Sequence, residues 1–236
     1  MSSSLSGLLS ATFHERGYDH LVELIHQRDA PAHRRLHSLD VALYDTAGKL
    51  LAAPPVDPAR EVLDLAALVD EIPGIPDRVM VTFDARYDER IFPYRPHQYG
   101  FLHRRGSTAP ALYYAVNGVL GGVPDRIGAT NINNFETYVF RPRPFAERYS
   151  LLFGCVSRFA PVQVQVFAYY GNERTAQEIS LTPKAHVEVE LPSELDGRRL
   201  TRVEMKALFR LAAYVVGRRA ETGELVLFDH LFTYFK

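Results

Sequence analysis

Apolar and polar positions alternate along several segments of the chain, with the period of two that half-buried strands show. In the first half, Leu39, Val41 and Leu43 alternate with polar or small residues, and a turn signal follows. In the second half, residues 162–167 alternate in the same way. No segment keeps the period of an amphipathic helix for long, although residues 63–69 fit one helical turn. The pattern therefore predicts an all-β fold.

The two halves of the chain carry these elements in the same order. Position 39 superposes on position 162, an offset of 123 residues, and His103 superposes on His230, an offset of 127 residues. A period of this length is typical of duplicated domains rather than of a solenoid. Short strands separated by turn signals fit a sandwich of about seven strands in each half. We therefore predict two tandem antiparallel β-sandwich modules of the immunoglobulin-like type, related by internal duplication; a single large barrel or sandwich is the alternative.

Each half resembles the small immunoglobulin-like modules that are common in bacterial proteins. The resemblance rests on an alternating strand, a turn with glycine, a second strand, a turn marked by proline and a further alternating strand. Residues 164–191 carry this order, and residues 41–65 carry it less cleanly. This order of strands and turns is also similar to that of the sensory rhodopsin transducer family, a soluble β-sandwich group. The resemblance implies an architecture only, because such folds host many functions and no family active site maps onto this sequence.

The predicted modules set the expected domain boundaries. Residues 1–17 are predicted to form an N-terminal tail with one short amphipathic turn of helix. The first β-sandwich module is predicted over residues 18–116, a seam and linker over 117–148, and the second module over 149–236. The linker is expected at residues 141–144, Arg-Pro-Arg-Pro, because proline favours an extended backbone in itself and in the residue before it.

Charge, cysteine content and hydropathy exclude several classes of protein. The net charge is −1 and no basic block stands out, so a surface for nucleic acid is not expected. Cys155 is the only cysteine and lies in an apolar run, which predicts a buried thiol with a packing role. No apolar run approaches the roughly 20 residues that a membrane span requires. Without a recognisable secretion signal, we expect a soluble cytoplasmic protein, and exposed sheet edges with paired modules favour a homo-oligomer.

The segment from Arg95 to His103 is the first candidate binding site. On an extended strand, Arg95, His97, Tyr99, Phe101 and His103 share one face, because strand side chains alternate with period two. This face would present a guanidinium, two imidazoles and a phenol beside the ring of Phe101. Such a set of groups is suitable for binding an anion or a sugar. The alternative is an exposed strand face whose His and Tyr bodies cover the core edge while their polar tips remain in water.

A cluster of amides in the predicted seam forms the second candidate. Asn131, Asn133 and Glu136 offer donors and acceptors for a ligand's hydroxyls or amides, although asparagines are equally typical of tight turns. His103 and His230 correspond in the repeat, either across a shared groove or as equivalent structural histidines. The complete set of predicted ligand-binding residues is Arg95, His97, Tyr99, His103, Tyr114, Asn131, Asn133, Glu136 and His230.

The sequence favours a non-catalytic protein that binds a small molecule or a protein partner at the seam between its modules. Recognisable catalytic motifs are missing, and no cofactor can be assigned. The alternative is an enzyme with His97, His103 and Glu136 as its catalytic residues. A metal in that site would be held by His97 and His103, which are about 20 Å apart on a straight strand, so the strand would have to bend.

Overall fold

A computed structural model describes residues 6–24, 36–57, 59–87, 98–119, 135–143, 146–208, 211–231 and 233–234. The chain divides into two compact units, Met1–Pro124 and Asp125–Lys236. The division falls within the predicted seam, and each unit is described by itself. Within the described residues, no helix is long and apolar enough to cross a membrane.

The first unit is built from antiparallel strands and one short helix within the part of the chain that the structure describes. These elements are β1 (Ser6–Glu15), β2 (Tyr18–Leu24), β3 (Leu36–Tyr44), β4 (Leu50–Ala52), β5 (Val62–Asp64), α1 (Leu65–Asp70), β6 (Arg78–Tyr87), β7 (Gln98–Arg104), β8 (Leu112–Ala115) and β9 (Asn117–Val119). One sheet has the order β4-β3-β6-β1-β9 and the other has the order β5-β2-β7-β8. Hydrogen bonds between side chains of β1 and side chains of β2, β7 and β8 show that the two sheets pack face to face.

The first strand differs from the predicted N-terminal tail, and the prediction for residues 6–15 was wrong. β1 lies inside its sheet, paired with β6 on one edge and with β9 on the other. Leu9, Ala11 and Phe13 are buried on one of its faces, and Ser10 and Thr12 are buried on the other. This segment therefore lies inside its sheet, because β6 pairs along the whole of one edge, β9 pairs with residues 9–11 of the other edge, and side chains on both faces are buried.

The alternation predicted for the first half is confirmed. Leu39, Val41 and Leu43 of β3 are all buried, and they lie opposite Ala85, Phe83 and Val81 of β6 in the same sheet. The predicted helical turn is also present as α1. The side chain of Asp64 caps α1 by accepting a hydrogen bond from the Ala67 N–H at 3.0 Å.

The second unit repeats the all-antiparallel construction. Its strands are β10 (Phe135–Phe140), β11 (Arg148–Cys155), β12 (Val162–Tyr170), β13 (Glu173–Leu181), β14 (His186–Leu191), β15 (Glu194–Leu195), β16 (Arg198–Leu208), β17 (Leu211–Arg218), β18 (Leu225–His230) and β19 (Thr233–Tyr234). One sheet has the order β13-β12-β16-β10-β19, with β15 paired to β16, and the other has the order β14-β11-β17-β18. Inward-facing side chains from both sheets form one hydrophobic cluster that includes Leu151, Phe153 and the predicted buried thiol, Cys155.

The two units share a strand order. With β15 set aside, β1 to β9 of the first unit correspond in sequence order and in sheet position to β10, β11, β12, β13, β14, β16, β17, β18 and β19. Such a correspondence is what an internal duplication would produce. The all-β class is confirmed, whereas the immunoglobulin-like type and the duplication remain predictions.

Phe153 and Phe159 allow a matched test of the second unit's core. Phe153 is fully buried on β11, whereas Phe159 in the following turn is 79 % exposed. Phe153→Ala is expected to lower the free energy of unfolding of the second unit by about 3–5 kcal/mol, because it removes buried apolar area and leaves a cavity. Phe159→Ala is expected to change it by less than about 0.5 kcal/mol. Urea unfolding measures both, and equal losses for the two variants would contradict this packing.

Candidate functional site

A partly exposed aromatic cluster lies on the outer face of the second sheet of the first unit. We call the side chains of Leu21, Tyr99, Phe101 and Tyr113 the aromatic face. Leu21 on β2, Phe101 on β7 and Tyr113 on β8 are directly opposite one another in register. Tyr99 lies two residues before Phe101, so period-two alternation puts it on the same face. The sheet order β5-β2-β7-β8 thus assembles one continuous surface from three strands.

The rings of the aromatic face stack on one another. The centroids of Tyr99 and Tyr113 are 5.0 Å apart with an interplanar angle of 14°. Phe101 meets the Tyr113 ring at 4.7 Å and 51°. Tyr113 nevertheless remains 56 % exposed, and Leu21 is 40 % exposed. Mutual stacking gives the rings a fixed arrangement that still leaves a large apolar area in contact with water.

A charged rim borders the aromatic face at Asp19 and His103, which lie opposite each other and next to the pair of Leu21 and Phe101. Arg105 donates a hydrogen bond from Nε to Asp19 at 2.8 Å and another from Nη2 to Asp70 at 2.8 Å. These bonds to Asp19 and Asp70 raise the pKa of the Arg105 guanidinium. His103 Nδ1 lies 3.8 Å from the other carboxylate oxygen of Asp19. The ion pairs hold the side chains of Arg105, Asp19 and Asp70 in a fixed arrangement beside the aromatic face. Exposed pairs of this kind contribute little to stability.

The structure brings together only part of the predicted binding set. Tyr99 and His103 lie on the outer face of β7, as period-two alternation predicted. Tyr114 does not join them, because it points to the opposite side of its sheet and is only 2 % exposed. Among the described residues, no group of three or more His, Cys, Asp or Glu side chains could hold a metal ion.

The remaining predicted residues cannot be placed together with them. Arg95, His97, Asn131 and Asn133 lie outside the described residues, so the metal ligand pair and the amide cluster remain predictions. Two other predicted residues belong to the second unit. Glu136 lies on β10 opposite Ala207, and His230 lies on β18 with Nδ1 3.5 Å from Asp229 Oδ1.

A buried polar network was missed by the sequence analysis. We give this name to Thr12, His14, His20 and Tyr114, which lie between the two sheets of the first unit. The Tyr114 hydroxyl is 2.7 Å from Thr12 Oγ1 and 2.6 Å from His20 Nε2. The Nδ1 atoms of His14 and His20 are 3.4 Å apart, and their rings stack at 5.5 Å. Beside the network, the Ser10 hydroxyl donates a hydrogen bond to Gln98 Oε1.

Burial keeps the histidines of the network neutral. The pKa of His14 is lowered to about 4, mainly by burial, with Asp70 acting in the opposite direction. Burial lowers the pKa of His20 well below its usual value, and the neighbouring His14 lowers it further. A neutral imidazole has one donor and one acceptor nitrogen, so a chain of hydrogen bonds can run through the network without a buried charge. This arrangement suits the joining of two sheets better than proton transfer with solvent.

Gly100 provides the space that Tyr114 occupies. The two residues are directly opposite each other on β7 and β8 and both face inward. A Cβ atom on residue 100 would overlap the Tyr114 ring at Cε1, Cζ and the hydroxyl oxygen. A glycine in a strand often marks such a close approach, and this was the sequence signal for the inward direction of Tyr114.

Comparisons with known proteins found no match to this chain among family models, curated proteins or solved structures. A functional conclusion therefore has to come from the side chains of the two units themselves.

Gly100→Ala is expected to destabilise the first unit by about 1–3 kcal/mol, because the added methyl group overpacks the site. The ring has little freedom to move away, since its hydroxyl bonds Thr12 and His20. Urea unfolding of Gly100→Ala, Tyr114→Ala and the double variant forms a double-mutant cycle. The cost of Gly100→Ala should fall markedly once the ring is absent. Strict additivity of the two single effects would disprove the overlap.

Acid pH is expected to destabilise the first unit through its buried histidines. In the unfolded chain both imidazoles have the ordinary pKa of about 6.5. Between pH 6.5 and pH 4 the unfolded chain therefore binds more protons than the folded unit, and the free energy of unfolding falls as the pH falls. With a folded pKa of about 4 for His14, that residue alone accounts for a loss of roughly 2 kcal/mol between pH 7 and pH 5.

Urea unfolding at pH 7 and at pH 5 measures this loss. In a His14→Gln variant the difference between the two pH values should be smaller than in the unchanged protein, because one titrating group has been removed. His103→Gln is the matched control, since His103 lies on the outer face of the same unit. An identical pH dependence in the unchanged protein and in His14→Gln would show that His14 is not held neutral by burial.

Proposed function

We propose that the protein is a non-catalytic binding protein that recognises a protein partner through the aromatic face of its first unit. The observation that carries this proposal is the ring cluster formed by Tyr99, Phe101 and Tyr113, in which Tyr113 is exposed and the other two rings are half-buried. Nearby Leu21 and Val62 add further exposed apolar area. Contiguous apolar surface is unfavourable in water and is typical of an interaction site.

The composition of the aromatic face matches the centre of a protein interface. Tyrosine is enriched among the residues that contribute most binding energy, because it combines a large apolar ring with a polar hydroxyl. The ion-paired side chains of Asp19, Arg105 and Asp70 lie at the border of the face. An apolar aromatic centre with a polar rim is the usual organisation of such interfaces.

The stacking geometry favours a protein partner over a small ligand. A sugar or another flat molecule binds an aromatic platform through an open ring face. Here the rings of Tyr99 and Tyr113 are nearly parallel and cover one another. The exposed part of the Tyr113 side chain is available to side chains from another protein. The enzyme alternative with His97, His103 and Glu136 remains a prediction that no observation on the described residues favours.

Site-specific photocrosslinking in the native cell tests this proposal. Tyr113 is replaced by the photoreactive amino acid p-benzoylphenylalanine, which keeps an aromatic side chain at the centre of the face. Illumination should yield a discrete covalent adduct with one protein, which mass spectrometry identifies. The matched control carries the same amino acid at Phe159, an exposed ring of the second unit. No adduct at position 113, or the same adducts at both positions, would contradict the proposal.

The affinity of the identified partner then gives a quantitative test. Tyr113→Ala should raise the Kd by at least about 30-fold, corresponding to a hot-spot loss of about 2 kcal/mol. Phe159→Ala should leave the Kd unchanged. Because Tyr113 is largely exposed, its replacement should preserve the thermal unfolding midpoint of the first unit, which separates loss of binding from loss of fold.

A further inference from the structure

One edge of strand β3 is left without a neighbouring strand in the described part of the first unit. β4 pairs with β3 only at Leu43 and Tyr44. Over residues 38–42 the only described strand partner is β6, on the other side. In an antiparallel sheet, alternate residues direct their N–H and C=O groups toward each edge. The outer side of residues 38–42, which we call the β3 edge, therefore presents main-chain donors and acceptors that an added strand would satisfy.

Two prolines explain why β4 ends so early. β4 stops at Ala52, and Ala53 is followed by Pro54 and Pro55. Proline has no N–H group, so these residues cannot continue the ladder as donors to β3. The chain instead leaves the sheet and forms a second wall beside the β3 edge. A cavity of about 510 Å³ lies between residues 38–42 and residues 53–56.

The second unit shows what covers the corresponding edge. Its β12 occupies the sheet position of β3 and pairs along its whole length with β13, from Val162 opposite Leu181 to Tyr170 opposite Glu173. Side chains also meet across that pair. Gln163 Nε2 donates a hydrogen bond to Ser180 Oγ at 3.0 Å. The first unit thus has the same sheet position with most of the covering strand replaced by a groove.

The charge on the β3 edge indicates the kind of strand that would fill it. At the offset of 123 residues between the halves, Asp40 takes the place of Gln163. Asp40 is exposed, lines the cavity and lies directly opposite Asp84 on β6. A basic side chain on an added strand opposite Asp40 would form a favourable cross-strand pair with this exposed carboxylate.

We propose that the β3 edge binds an extended peptide segment of another protein, which adds to the sheet as an antiparallel strand and places a lysine or arginine opposite Asp40. The groove favours this occupant over a second copy of the chain, because the cavity beside the edge is lined by residues 53–56 as well as by residues 38–42. An extended segment can enter between two such walls more readily than the edge strand of a folded sheet can. This peptide site is separate from the aromatic face, since it belongs to the other sheet of the first unit.

A pair of synthetic peptides tests the proposal on the full-length protein. Both are capped heptapeptides of alternating valine and threonine, one with lysine and one with glutamate at the central threonine position. The lysine peptide should bind on the order of tenfold more tightly than the glutamate peptide at low salt, because only its charge complements Asp40. In Asp40→Lys the preference should reverse. Gln163→Lys, the same change on the covered edge of the second unit, should leave both affinities unchanged.

Amide hydrogen exchange followed by NMR locates the bound peptide. Alternate amides within residues 38–42 should exchange rapidly in the free protein and become protected when the lysine peptide is added, because an added strand accepts their hydrogen bonds. Slow exchange of all of these amides without peptide would overturn the proposal, since the edge would already be covered. Protection confined to other parts of the protein, or equal affinity for both peptides, would overturn it as well. A dimer that protects the same amides without peptide would identify a second copy as the occupant and would likewise overturn it.

Discussion

The hydroxyl of Tyr114 must satisfy its hydrogen-bonding capacity in the buried space between two sheets. It does so with Thr12 from one sheet and His20 from the other, at 2.7 Å and 2.6 Å. A buried hydroxyl without partners is costly, so this single oxygen limits both the spacing and the lateral offset of the sheets. The same hydrogen bonds also determine which side chains of β8 point inward. Because neighbouring strand residues point to opposite sides, an inward Tyr114 holds Tyr113 outward on the aromatic face.

The strands whose apolar side chains face the core could be predicted from the sequence, whereas β1 could not. For Leu39, Val41 and Leu43, burial of one apolar face is enough to specify a strand. In β1, Leu9, Ala11 and Phe13 show the same alternation, but Leu5, Leu8, Leu9 and Phe13 also fit the spacing of a helical turn. The pairing with β6 and β9 that decides between the two is made by residues far away along the chain, so it leaves no local pattern. The tail prediction failed for this reason.

The part of the candidate site that could be predicted is the part set by the alternation of side chains between the two faces of a strand. Period two correctly put Tyr99 and His103 on one face of β7. Alternation cannot decide which of two adjacent tyrosines turns inward, because both orientations keep the period. That choice depends on the space above Gly100, which is a cross-strand property. Sequence reasoning therefore selected Tyr114 for the binding surface, where the structure has Tyr113.

The central position of β1 has a consequence for how the chain acquires its structure during synthesis. β1 precedes its two neighbours, β6 and β9, by many residues, and Leu9 pairs with Val119 near the end of the unit. A nascent chain therefore carries β1 with one edge open until β6 has been made, and with the other edge open until β9 follows near the end of the unit. Such non-local pairing slows folding, and it leaves time for open edges to associate with other chains. The first unit can complete its folding only after the strands that pair with β1 have been made. Chaperones that bind extended segments are therefore expected to increase the folding yield most for this part of the protein.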